Sequence, residues 1–168
     1  VARTPALDGL AARGVTFDAA YCPSPICVPS RMSALTGQWP HQQACWTLQD
    51  HLGTDRPTWA HALGAAGYRP ILIGRMHSVG PDQHHGFAER FSAEPGPHWP
   101  GVPRQDLGVL AGAQGPSAVS LTRSGRGQSG YQVADEEVCE TACDWLAEAG
   151  RDPDPDAPFC LMVGFTLP

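Results

Sequence analysis

The sequence has 168 residues, 42% of them hydrophobic, and a formal net charge of −6. This length and apolar content suffice for one globular domain with a hydrophobic core and are short for two. The acidic balance, without a basic cluster, argues against nucleic acid and anionic membranes as partners, and no apolar run approaches the roughly 18 residues of a membrane span.

The first fifth of the chain predicts a helix, an extended segment and a second helix. Residues 4–14 begin with Thr-Pro, carry an apolar face and end at a glycine, a pattern typical of a capped helix. Residues 15–21 alternate like a strand or extended segment. Residues 22–30 contain three prolines and predict a rigid loop, and residues 31–37 predict a short helix that ends at its glycine.

The middle of the chain predicts a helix followed by a buried strand. Residues 56–67 have a helical pattern that ends at a glycine, and residues 68–74 form a short apolar run. A helix followed by such a strand is typical of α/β proteins with a largely parallel sheet. Residues 92–130 are rich in Gly, Pro and Ser without a sustained period, and we interpret them as a lid-like insertion.

The last part predicts an amphipathic helix and another buried strand. The helix covers residues 131–150, and the acidic run at 135–137 is interpreted as its negatively charged first turn. The strand covers residues 159–168. The predicted apolar face of the helix consists of Val138, Ala142, Trp145 and Leu146.

The cysteines indicate neither a zinc ribbon nor a disulfide framework. None of the six belongs to a C-x-x-C pair, and a domain of this size does not need disulfides. Cys139 and Cys143 lie one helical turn apart and are expected to pack as small apolar residues. We therefore expect a reducing, cytoplasmic compartment. The chain begins at a valine and ends just after an apolar segment, so we interpret both ends as cuts within a larger protein.

The segment "CVPSR" (27–31) combines a nucleophile with an anion site. The start of a helix presents unpaired N–H groups and partial positive charge, which favour anions. Arg31, about one turn beyond Cys27, adds a permanent charge with a geometry suited to oxyanions. Position 27 is therefore a reasonable place for a group that attacks a sulfate or phosphate ester.

A second segment, "GRMH" (74–77), follows the predicted strand directly. Ligands of α/β sheets bind beyond the carboxyl ends of the strands, so Arg75 and His77 are expected to lie at the functional edge. Arg75 has the charge to clamp an anionic ester, and His77 can donate a proton to the leaving oxygen.

These segments resemble those of a known family. "CVPSRMSALTG" (27–37) resembles the C-x-P-S-R…L-T-G signature of type I sulfatases, and "TPALDGLAARGVTF" (4–17) looks like the elements that precede it. "GRMHSVGPDQHHGF" (74–87) is similar to the family's G-K-x-H segment, and its continuation is most like choline-sulfatase-type members. "FCLMVGFTLP" (159–168) resembles the strand that leads into the family's H-x-P loop. The resemblance implies an alkaline-phosphatase-like α/β fold in which residues 1–168 are the N-terminal part of a catalytic domain.

The resemblance also implies a mechanism. The cysteine that matches Cys27 is oxidised in the family to formylglycine by a maturase such as the formylglycine-generating enzyme. One hydroxyl of the hydrated aldehyde attacks sulfur, and the second expels sulfate. A divalent cation, usually calcium, binds at the same position and neutralises the sulfate oxygens. Arg31 then holds the formylglycine and metal, and His77 contacts the sulfate or the leaving group of a small-molecule sulfate ester.

Two departures from the family pattern bear on activity. The family's lysine in G-K-x-H is Arg75 here, which has a different reach and donor pattern. The family's carboxylate metal ligands are expected before Val1 and beyond Pro168, so we expect the 168 residues alone to bind calcium poorly and to have little activity.

Three alternatives stay open. The first is a phosphonate monoester or phosphodiester hydrolase of the same superfamily, which uses the same nucleophile. The second is a non-catalytic domain that holds an anion beside an unmodified thiol, and the third is a thiolate-dependent hydrolase or redox protein.

The adjacent His84 and His85 are expected to point apart on an extended segment and do not predict a metal pair. His85 is expected at most to support residues that contact the ligand, without contacting the ligand itself. Asp82 is interpreted as a turn residue.

Overall fold

The computed structural model of the protein describes residues 3–92, 126–151 and 158–167. The predicted lid therefore lies largely outside the described residues. The described elements, in chain order, are α1 (Pro5–Ala11), α2 (Cys27–Thr36), α3 (Pro40–Gln43), α4 (Trp59–Ala65), β1 (Arg69–Gly74), β2 (Glu89–Phe91), α5 (Gly130–Arg151) and β3 (Phe159–Gly164).

The three strands form a parallel sheet in the order β2-β1-β3. Ile71 of β1 pairs with Glu89 of β2 on one side and with Leu161 of β3 on the other. Parallel strands require crossover connections, and their carboxyl ends consequently meet at one edge of the sheet. Gly74 and Gly164, the last residues of β1 and β3, pair with each other at that edge.

Helices cover both faces of the sheet, as its central strand requires. Ile71, Leu72 and Ile73 are completely buried, and successive side chains of a strand point to opposite faces. Leu72 packs on one face with residues of α2 and α4, whereas Ile71 and Ile73 pack on the other face with Val138 and Ala142 of α5. The predicted α/β architecture with a parallel sheet is confirmed.

Helix α2 begins four residues before the predicted start, at Cys27 rather than Arg31. Pro29 caused the error, because a proline interrupts a helix interior but is tolerated in the first turn, where its missing N–H has no partner to lose. The predicted end is confirmed, since Gly37 follows Thr36 in the left-handed conformation with φ 69°.

The region before α2 departs from the prediction. Helix α1 forms, but Leu7 and Leu10 on its apolar face are 64% and 62% exposed. Residues 15–21 contain no strand, and Phe17 is 79% exposed. An apolar pattern predicts which side chains should be buried. In this region, no described residue packs over those side chains and shields them from solvent.

Helix α5 is longer than predicted and starts at Gly130, so the acidic run at 135–137 lies in its second turn rather than its first. A capping box holds the start: Ser129 N–H donates to Gln132 Oε1, and Gln132 N–H donates to Ser129 Oγ.

Two expectations about packing were wrong. Cys139 and Cys143 are exposed rather than packed, because they lie on the flank of α5 away from the sheet. Leu146 is 47% exposed, so the buried face of α5 is narrower than predicted.

Strand β3 is only half-buried along most of its length, since only β1 pairs with it among the described strands. In the described part of the chain, no helix is long and apolar enough to cross a membrane.

Candidate active site

Cys27 is the first residue of α2 and its side chain is exposed. The preceding Ile26 is extended (φ −116°, ψ 137°), and its carbonyl accepts the first helical hydrogen bond, from Ser30 N–H at 3.1 Å. No side chain caps this end of α2. Cys27 therefore lies beside backbone N–H groups that have no partner within the helix, where partial positive charge is concentrated.

Arg75 leaves the carboxyl end of β1 in a fixed direction. The preceding Gly74 has φ 84°, a conformation that a side chain would strain, and a Cβ there would lie 2.3 Å from the Gly164 carbonyl oxygen. Arg75 N–H donates to that same oxygen at 2.7 Å. The turn out of β1 is thus bonded to the end of β3.

The Arg75 guanidinium joins two of the predicted site residues. Its Nη2 lies 3.6 Å from Cys27 Sγ and 3.2 Å from His77 Nδ1. Because a guanidinium only donates hydrogen bonds, Nδ1 of His77 is the acceptor. The ring proton is then on Nε2, which points an N–H away from Arg75.

Arg31 completes the group from the second turn of α2. Its Nη1 donates to the Arg75 carbonyl oxygen at 3.1 Å. This bond ties α2 to the turn after β1 and joins Arg31, one helical turn beyond Cys27, to the backbone of Arg75. The arrangement can hold an anion with two or more oxygens next to position 27.

The backbone at His77 is left-handed, with φ 58°. Such a conformation costs free energy for a residue with a side chain and persists only where the surroundings enforce it. The next residues are held by Gln83, whose Nε2 donates to the carbonyl oxygens of Ser78 (3.0 Å) and Gly80 (2.8 Å). Arg90 Nη1 donates in turn to Gln83 Oε1 at 2.9 Å.

His85 lies behind this loop and is 2% exposed. Burial lowers the pKa of His85, and the nearby Asp82 carboxylate only partly opposes the effect. The distance from His85 Nδ1 to Asp82 Oδ2 is 3.3 Å. Asp82 Oδ1 accepts the backbone N–H groups of His84 (2.9 Å) and His85 (2.8 Å), and Thr58 Oγ1 donates to the His85 carbonyl at 2.6 Å. As expected, Asp82 is a turn residue.

The four predicted site residues, Cys27, Arg31, Arg75 and His77, therefore lie together at one edge of the sheet. Their roles stay predictions. No local pattern indicated the left-handed backbone of His77 or the Gln83 bonds that hold the loop after it.

Two features bear on where a ligand or cation could bind. The described residues contain no group of three or more His, Cys, Asp or Glu side chains suited to a metal ion, so they do not by themselves form the cation site that the family resemblance implies. A cavity of about 550 Å³ lies near the opposite, amino end of β1 and is lined by residues that include Arg69, Glu89 and Trp145. None of the four predicted site residues lines it, so we place the site by the geometry around Cys27.

Known proteins resemble this chain along almost its whole length. The family model described as Sulfatase matches residues 1–166. The choline-sulfatase of Rhizobium meliloti (strain 1021) is 34% identical over 176 residues, which cover 98% of this chain and 33% of that protein. The chain thus spans about a third of the length of this relative.

Solved structures show the same fold. A structure described as a 2-O GAG sulfatase superposes with a TM-score of 0.61 at 23% identity, over 96% of this chain and 29% of that one. The phosphonate monoester hydrolase of Agrobacterium radiobacter gives 0.57 at 18% identity, over 96% and 36% of the two chains. The predicted sulfatase-type, alkaline-phosphatase-like fold is confirmed, and with the match to residues 1–166, the chain belongs to the sulfatase family.

Proposed function

We propose that this protein hydrolyses a small-molecule sulfate monoester with a nucleophile made from Cys27. The observation that carries the proposal is the contact of one guanidinium nitrogen, Arg75 Nη2, with both Cys27 Sγ (3.6 Å) and His77 Nδ1 (3.2 Å). It combines a nucleophile position, an anion clamp and a hydrogen-bond donor within one ligand's reach.

Formylglycine fits position 27. Sulfatases generally use this modified residue together with a divalent cation, and the exposed Cys27 is accessible to a maturase. When hydrated, the aldehyde supplies one hydroxyl for attack on sulfur and a second for release of sulfate.

The chain's own residues orient the ester. Arg31 and Arg75 present fixed positive charges toward the oxygens of the sulfate group, and the N–H groups at the start of α2 add to the same field. Because Arg75 donates to Nδ1 of His77, we assign the hydrogen bond to the leaving-group oxygen to the Nε2–H of the same ring. This role refines the proton donor predicted from sequence.

The predicted divalent cation is calcium, which binds oxygen ligands in proteins. The described residues contain no cluster of carboxylates that could hold a cation near Cys27, and their own part in the reaction is to bind and orient the ester. The predicted participation of position 27 in the metal site stays part of the proposal, as does the cytoplasmic location.

The choline-sulfatase relative suggests the first substrate to test. Choline sulfate is the ester that this relative's name indicates, and we propose a small alcohol sulfate of that kind as the substrate class.

The test uses the protein expressed from its complete gene together with a maturase. Mass spectrometry of the peptide containing residue 27 should show loss of hydrogen sulfide and gain of one oxygen, and Cys27→Ala should abolish sulfate release. Cys22→Ala is the matched control, because Cys22 is also an exposed thiol five residues earlier and should leave the rate unchanged.

Other outcomes identify the alternatives. An active protein with an unmodified thiol at residue 27 would contradict the proposal and favour a thiolate enzyme. Faster release of phosphate or phosphonate than of sulfate from esters of the same alcohol would favour the phosphonate hydrolase. Sulfate binding without turnover would indicate an anion-binding domain.

A further inference from the structure

Asp135 of α5 makes two long-range contacts that no sequence pattern indicated. Its Oδ1 accepts the Thr166 backbone N–H at 2.8 Å, and its Oδ2 accepts the Leu167 N–H at 2.9 Å. Both N–H groups follow the end of β3. A carboxylate that receives two N–H groups in this way makes charge-assisted hydrogen bonds, which are roughly twice as strong as neutral ones.

These bonds lie at the functional edge of the sheet. Strand β3 ends at Gly164, whose carbonyl oxygen accepts Arg75 N–H at 2.7 Å. A Cβ at position 164 would lie 1.9 Å from the Arg75 carbonyl oxygen, so the two backbones are already as close as they can be. A shift of the chain after β3 therefore moves the Arg75 backbone.

Helix α5 also packs closely against the end of β1. Val138, one turn after Asp135, lies so close to Gly74 that a Cβ there would be 2.8 Å from Val138 Cγ1. Helix α5 thus contacts the last residue of β1 through Val138 and the exit of β3 through Asp135. Arg75 lies between these two contacts.

We propose that Asp135 is a positioning residue for the active site, an inference that rests on the proposed function. By holding residues 166 and 167, its carboxylate fixes Gly164 and hence the backbone of Arg75. The Arg75 guanidinium is thereby kept between position 27 and His77. Asp135 itself does not touch the ester.

The test compares Asp135→Asn with Glu137→Gln in the complete protein. The asparagine keeps the size of the side chain, but its NH2 group faces one of the two backbone N–H groups and cannot accept from it. Glu137 is an exposed acid on the same helix turn, so its substitution controls for lost charge. Asp135→Glu keeps the carboxylate and serves as the conservative variant.

Two readouts are needed. Hydrogen–deuterium exchange of peptides covering residues 69–77 and 159–167 should accelerate about tenfold in Asp135→Asn and stay unchanged in Glu137→Gln. We expect kcat for sulfate release to fall about tenfold with KM within twofold, because a small misplacement of a clamp group costs rate. Asp135→Glu should recover part of this loss.

Each outcome is decisive. Unchanged exchange in the 69–77 peptide would overturn the inference, whatever the activity. Accelerated exchange with an unchanged kcat would also overturn it, because Asp135 would then stabilise the fold without positioning the site. If the wild-type protein releases no sulfate and the Asn variant still loosens residues 69–77, the proposed function fails and the fixing of Arg75 by Asp135 stands.

Discussion

Replacement of Gly164 by alanine is the sharpest test of the packing that fixes the site. A Cβ at this position would lie 1.9 Å from the Arg75 carbonyl oxygen and 2.8 Å from its carbonyl carbon. Contacts below 3.0 Å are essentially never observed for real Cβ atoms, so the ends of β1 and β3 must separate by more than an ångström. The Arg75 carbonyl is also held by Arg31, which leaves it little freedom to rotate away.

The magnitude follows from two costs. Overpacking of a tight site costs about 1–3 kcal/mol, and loss of the hydrogen bond from Arg75 N–H to Gly164 costs about 0.5–1.5 kcal/mol. We therefore expect Gly164→Ala to lower the free energy of unfolding by about 1.5–4.5 kcal/mol, a large fraction of the roughly 5–15 kcal/mol typical of a domain. Sulfate release by the folded fraction should fall as well, because Arg75 moves.

Urea denaturation of the complete protein, followed by tryptophan fluorescence, measures the effect. Gly64→Ala is the matched control: Gly64 lies within α4, nothing lies within 4 Å of an added Cβ, and alanine should stabilise the helix by about 0.5–1 kcal/mol. If the free energy of unfolding of Gly164→Ala lies within about 0.5 kcal/mol of the wild-type value, the ends of β1 and β3 are not in close contact.

Three further predictions concern single side chains. Arg75→Ala should lower kcat/KM about 10- to 150-fold, the equivalent of one charged hydrogen bond, and Arg75→Lys should lower it less; equal losses would contradict a role for the positive charge. Because burial lowers the pKa of His85, the unfolded chain binds the proton more tightly, so the stability contributed by neutral His85 is complete above about pH 6.5 and is lost as pH falls. In urea titrations between about pH 5 and 7, the free energy of unfolding should depend less on pH in His85→Gln than in the wild type. An equal dependence would contradict the burial of a neutral His85. Burial, and then the charge of Asp50, raise the pKa of Cys45 to about 11, so iodoacetamide at mildly alkaline pH should label the exposed Cys22 and spare Cys45. Labelling at similar rates would contradict the burial of Cys45.

Local patterns sufficed for much of the fold. The apolar run that contains Ile71 predicted a buried central strand, and the amphipathic period around Val138 predicted the long helix on one of its faces. The two short segments "CVPSR" and "GRMH" predicted four residues that the fold brings together. These predictions succeeded because burial of a repeating apolar face and the ends of parallel strands follow from local sequence.

Other features depended on contacts between distant residues. The predicted start of α2 was four residues too late, because a proline such as Pro29 indicates a break in a helix unless it is known to lie in the first turn. The thiols of Cys139 and Cys143 were expected to pack, yet they are exposed, and it is the neighbouring Val138 and Ala142 that pack on the sheet.

Local sequence was enough to predict the parallel α/β class and to single out Cys27, Arg31, Arg75 and His77 as candidate site residues, because each of these signals lies within a few consecutive residues. The contacts of Arg75 with Cys27 and His77, and the hydrogen bonds of Asp135 with the backbone after β3, are visible only in the tertiary structure. Those contacts join residues up to 48 positions apart. Their partners are chosen by how helices and strands pack, and no local pattern records that choice.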